Sequence, residues 1–101
     1  MVNTMMDLKD YLLACISEES GEIVQAVGKA QRFGLLDQPH IGGRTNWVSL
    51  RKEVHDLVAV YEMLCDEFDR VDTLDRELIE AKKAKVEHYM TYSEQRGRLA
   101  S

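Results

Sequence analysis

Apolar residues recur in steps of three and four on either side of one Pro- and Gly-bearing interruption, and that periodicity leaves the chain little choice but helices. The interruption, Gly34 to Asn46, holds the only proline, Pro39, together with Gly42 and Gly43, and reads as a loop. No strand-type alternation lasts long enough to compete. The pattern predicts an all-α protein, a short helical bundle.

The first helix is expected from about Asp7 to about Phe33. Leu8, Leu12, Cys15, Glu19, Glu22, Ala26, Ala30 and Phe33 share one face, which puts two carboxylates at core-facing positions. Asn46 suits the N-cap of a second helix reaching about Val71. Its main stripe is Leu50, Val54, Leu57, Tyr61, Leu64, Phe68 and Val71, and Val58, Ala59, Val60 and Met63 carry apolar surface most of the way round. A third helix is expected from about Leu74 to about Tyr92, with Leu78, Ala81, Tyr89 and Tyr92 along one side and Lys82 and Lys85 sharing it. The polar segment 93–101 is expected to be a flexible tail.

A chain of 101 residues is the size of one domain, so 1–101 is expected to be a single unit. With 45% hydrophobic residues it is too short to bury its apolar surface alone, and homo-oligomerisation, as a dimer or tetramer, is expected to complete the bundle. Its 13 basic and 18 acidic residues leave a net charge of −5 with no dense basic tract, which argues against nucleic acid as a partner. No apolar run is long enough for a membrane span and residues 1–7 lack a leader pattern, so a cytoplasmic location is expected. Cys15 and Cys65 fit apolar helical positions without zinc-knuckle or redox spacing, as free thiols do in a reducing compartment.

Two acidic elements carry the chemistry. Glu18, Glu19 and Glu22 form Glu-Glu-x-x-Glu, and Glu53 and Asp56 form Glu-x-x-Asp. Residues three apart lie on one helical side a turn apart, so each pair can aim two carboxylates at one point, and two such helices packed together make a cage of oxygens. Taken alone, either pair is more often a solvated face, since 31% of this chain is charged. Carboxylates clustered toward a core, however, repel and raise one another's pKa unless a cation or a base compensates. A hard cation such as Mg²⁺, with Mn²⁺ as a substitute, suits these oxygens and takes phosphates as further ligands. His40, His55 and His88 are scattered and give no zinc spacing. Lys29, seven residues after Glu22, keeps to the same face within reach of phosphate or base. Arg32 either joins it on a substrate or caps the helix C-terminus. Tyr11, Phe33 and Trp47 are aromatic groups for stacking on a base or for plain packing.

The run EESGEIVQAVGKAQRFG, a loop, and then NWVSLRKEVHDLVAVYEML resembles the MazG-like all-α nucleoside triphosphate pyrophosphohydrolases over roughly Leu12 to Leu64. The resemblance implies hydrolysis of a nucleoside triphosphate to the monophosphate and pyrophosphate. It also implies Glu19, Glu22, Glu53 and Asp56 as Mg²⁺ ligands, Glu18 as the residue that positions or deprotonates the attacking water, and Lys82 and Lys85 on the phosphates. The long loop Leu35 to Asn46 and the short C-terminus depart from some relatives, which leaves base specificity open. The same stripes and acids also suit a non-enzymatic helical interaction module or a nucleotide-binding regulator, and nucleotide turnover with and without Mg²⁺ separates these from an enzyme.

Overall fold

A computed structural model describes residues 5–68 and 74–100 as three helices, α1 (Leu8–Phe33), α2 (Asn46–Phe68) and α3 (Arg76–Gln95), with no strand among them. The all-α expectation holds. The chain divides into two compact units, residues 1–71 and 72–101, each described here by itself. The expected end of the second helix at Val71 lies outside the described residues.

In the first unit α1 and α2 pack together as a helical hairpin. Asp7 caps α1, its side chain accepting from the Asp10 N–H at 2.8 Å and satisfying one orphan donor of the first turn. Gly34 ends it at φ 101°, a left-handed value that side chains resist, and its N–H returns to the Ala30 carbonyl. The cap of α2 lies one residue before the expected Asn46: the Thr45 hydroxyl accepts from the Val48 N–H at 3.2 Å. This frees the Asn46 side chain for the loop. Only 2% exposed, Asn46 donates its amide to the Gly34 carbonyl at 2.8 Å, while its backbone N–H donates to Asp37 and that of Trp47 to Leu35. A tight turn, Gly43 N–H to His40 carbonyl, completes the loop, and a Cβ on Gly43 would come within 3.1 Å of that same carbonyl oxygen. The connection is therefore stapled to both helix ends.

The packed faces are rotated from those the apolar stripes suggest. On α1 the least exposed line runs through Leu12, Ile16, Glu19, Ile23, Ala26 and Ala30. Ile23 thus takes the place expected of Glu22, which is exposed, because four residues advance a helix by about 400° and three by about 300°, and the apolar member of the pair turns inward. On α2 the covered line passes through Asn46, Leu50, Glu53, Leu57, Val60 and Leu64, leaving Val54, Tyr61 and Phe68 exposed. Among the described residues only Leu12, Ala26 and Cys65 are both apolar and buried. Full burial of a large apolar side chain contributes about 1.5–3 kcal/mol, against about 1–2 kcal/mol per residue to order the backbone. Burial on this scale cannot by itself balance the ordering of two long helices.

In the second unit Asp75 caps α3, accepting from the Glu77 and Leu78 N–H groups. The helix runs to Gln95, three residues past the expected Tyr92, and the chain then turns back through Gly97 at φ 73°, the N–H groups of Arg98 and Leu99 donating to the Ser93 carbonyl. Leu78, Tyr89 and Tyr92, the expected apolar side, are all exposed.

Candidate metal centre and adjoining pocket

The hairpin brings the two acidic elements together where α1 and α2 cross the middle of their lengths. Glu19, Glu53 and Asp56 are each half-buried, and each offers a carboxylate oxygen within 4.8 Å of the other two. These oxygens come from both helices, as helical spacing requires of a shared site. Around Mg²⁺, with bonds of about 2.1 Å, ligand oxygens stand roughly 3–4 Å apart, so small side-chain rotations suffice to place these three on one ion. An all-oxygen donor set with no thiol or imidazole among them is that of a hard divalent cation. The residues fit it.

Electrostatics mark Glu19 as the stressed member. Its carboxyl is held above its ordinary value of 4.5, first by partial loss of water and then by the negative charges of Asp56, Glu53, Glu18 and Glu22, in that order. The compensating base is Lys52, which sequence reasoning passed over. Its ammonium stands 2.7 Å from Asp56 Oδ2 and 3.9 Å from Glu53 Oε1. The hydrogen bond to Asp56, then the charges of Asp56 and Glu53, raise the Lys52 pKa above its ordinary 10.5.

Glu22 is outside the triplet. It lines, with Glu53, a cavity of about 530 Å³ enclosed by the C-terminal half of α1, the loop and the first turns of α2. Lys29 and Phe33 line it from α1, Ser49 and Asn46 from α2, and Pro39, His40 and Arg44 from the loop. The size is that of a small-molecule site. Lys29 is thus brought to the expected acids. Arg32 is turned to its own helix end, its guanidinium 4.9 Å from the Phe33 ring centroid. Glu18 is exposed beside Glu19. Trp47 and Tyr11 are exposed, and neither lines the cavity. Lys82 and Lys85 belong to the second unit, where they line a shallower hollow of about 490 Å³ with Tyr89 and Arg98.

His40 and Arg44 were not legible as site residues because their placement depends on the loop hydrogen bonds to Asn46, Trp47 and Gly43. Lys52 was legible: it precedes Asp56 by four residues, the spacing of a helical ion pair. Both cysteines are free, Cys65 buried and Cys15 half-buried. No described helix is long and apolar enough to cross a membrane. Comparison with known proteins returns no match: no family model, no curated protein and no solved structure is significantly similar to the chain.

Proposed function

We propose that the chain is a Mg²⁺-dependent nucleoside triphosphate pyrophosphohydrolase of the MazG-like kind, releasing a nucleoside monophosphate and pyrophosphate. The observation that carries this is the meeting of Glu19, Glu53 and Asp56 from two helices, at the edge of a cavity that also holds Glu22 and Lys29. A solvated acidic face has no need of a cavity beside it.

Glu19, Glu53 and Asp56 would hold the metal, and Glu22 would join them from the cavity wall. Bound Mg²⁺ supplies positive charge against the phosphate oxygens. Glu18, exposed next to Glu19, orients the attacking water and takes its proton as the bond to the α-phosphorus forms. Lys29 meets the charge that builds on the departing pyrophosphate. Mn²⁺ substitutes for Mg²⁺, and the working form is a cytoplasmic homodimer or homotetramer.

A panel of ribo- and deoxyribonucleoside triphosphates, with products resolved and Mg²⁺ present or withheld, tests the reaction class. Metal-dependent release of pyrophosphate is expected from at least one of them. Glu22→Gln and Asp56→Asn are each expected to abolish turnover while leaving the helical circular dichroism intact. Near-normal activity in both variants removes these residues from the metal site, and no turnover of any triphosphate by the native chain overturns the enzyme. A helical interaction module is the second reading, favoured by the exposed apolar residues Val54, Tyr61 and Phe68 on α2, and it predicts that last result.

A further inference from the structure

The structure assigns Arg44, on the loop between α1 and α2, as the residue that grips the leaving pyrophosphate in the cavity that Lys29 also lines. The assignment rests on the reaction proposed above and extends it to a residue outside both acidic elements and outside α3. Four charged side chains line the cavity: Glu22 and Glu53 on the helices, Lys29 on α1 and Arg44 on the loop. Among the described residues neither Lys29 nor Arg44 makes an ion pair. Once a divalent cation takes up the carboxylate charge, the two cations are left facing a cavity that calls for an anion.

The arrangement of the wall gives the direction. Toward the loop the lining changes from acidic Glu22 to basic Lys29 on α1 and from acidic Glu53 to uncharged Ser49 and Asn46 on α2, with Arg44 on the loop itself. A polyphosphate bound at the α-phosphorus beside the acids therefore extends its β and γ groups toward Lys29 and Arg44. The Arg44 backbone is fixed on both sides, by the Gly43 to His40 turn and by the Asn46 bond to Asp37, so less ordering entropy is lost on binding than in an unanchored loop. A guanidinium matches phosphate oxygens with two parallel N–H donors, which Lys29 cannot do.

The test measures binding of inorganic pyrophosphate with Mg²⁺ by calorimetry, alongside pyrophosphate and monophosphate inhibition of turnover, for the native full-length chain, Arg44→Gln, Arg44→Lys and Arg76→Gln. Arg76 pairs with Glu80 on the surface of α3 and controls for loss of one positive charge. Expected is a loss of at least about tenfold in pyrophosphate affinity for Arg44→Gln, with monophosphate inhibition within twofold of native, partial recovery in Arg44→Lys and no change in Arg76→Gln. Unchanged pyrophosphate binding in Arg44→Gln overturns the assignment, as does equal weakening of pyrophosphate and monophosphate, which marks loss of loop structure. Failure of the native chain to hydrolyse any triphosphate overturns the reaction class separately, and the calorimetric arm still decides whether Arg44 binds pyrophosphate.

Discussion

Lys52 places its ammonium 2.7 Å from a carboxylate oxygen of Asp56, one turn along α2, and so supplies internally the positive charge that the acidic cluster needs. The pair is substantially solvent-exposed, where such contacts contribute little to stability. Because Lys52 engages a carboxylate that the proposed Mg²⁺ site would use, Lys52→Met is expected to tighten Mg²⁺ binding by about two- to fivefold. Calorimetric titration of Mg²⁺ checks this, and weaker binding in the variant means that Lys52 organises the site instead of competing for it.

Glu19 sets the pH response. Its folded-state pKa lies above the unfolded one, so between the two the folded chain binds more protons. Its contribution in the metal-free protein therefore becomes more favourable as pH falls through the raised value toward 4.5 and less favourable as pH rises through it. Mg²⁺ requires the ionised carboxylate, so metal-induced stabilisation shrinks over the same acidification. Lys52 acts at the other end: its stabilisation is complete below 10.5 and is lost as pH climbs through its raised value. Thermal melts of native chain and Glu19→Gln, with and without Mg²⁺, isolate the Glu19 part. Metal-free native protein should lose stability relative to Glu19→Gln as pH rises through the Glu19 transition, and the opposite slope contradicts the assignment.

Asn46 joins loop, helix start and cavity. Asn46→Ala removes the 2.8 Å bond to the Gly34 carbonyl at a nearly fully buried position, at a cost of about 1–3 kcal/mol. Loss of the staple loosens the loop that carries His40 and Arg44, so kcat/KM should fall by more than stability alone dictates when assayed well below the melting temperature. A variant with native stability and native kcat/KM shows the staple to be dispensable.

Helix number and approximate ends were legible because the Pro39 loop interrupts a plain helical period; the Asp75 cap that starts α3 was not read, and the helix begins at Arg76 and not at Leu74. The facing residues were less so. Ile23 and Glu22 compete for one position on α1, and α2 is apolar on so many sides that Leu50, Val54 and Leu57 do not single out the side that meets α1. Of the four acids named from the sequence, Glu53 and Asp56, three residues apart on α2, meet Glu19 of α1, whereas Glu22, three residues after Glu19, lines the cavity instead. Lys29 was legible from its seven-residue spacing to Glu22; Arg44 was not, since it reaches the cavity through a loop held by long-range bonds of Asn46 and its neighbours.

The apolar residues left on the surface of α2, with Phe68 73% exposed, predict self-association. Light scattering at micromolar concentration should give a dimer or a tetramer. Phe68→Glu should shift it toward smaller species and lower the melting temperature in a concentration-dependent way. A monodisperse monomer in the native chain contradicts this account of how so small a core is completed.

The point at which the phosphoanhydride breaks bears most directly on the proposed chemistry. In the proposed reaction, water oriented by Glu18 at the acidic end and outer phosphates drawn toward Lys29 and Arg44 direct in-line attack to the α-phosphorus, with pyrophosphate leaving in one step. Turnover of a triphosphate in ¹⁸O-water with Mg²⁺ should put the label in the nucleoside monophosphate, with no diphosphate intermediate. Label confined to pyrophosphate, or accumulation of nucleoside diphosphate with free phosphate, would contradict attack at the α-phosphorus even if Glu19, Glu53 and Asp56 hold the metal.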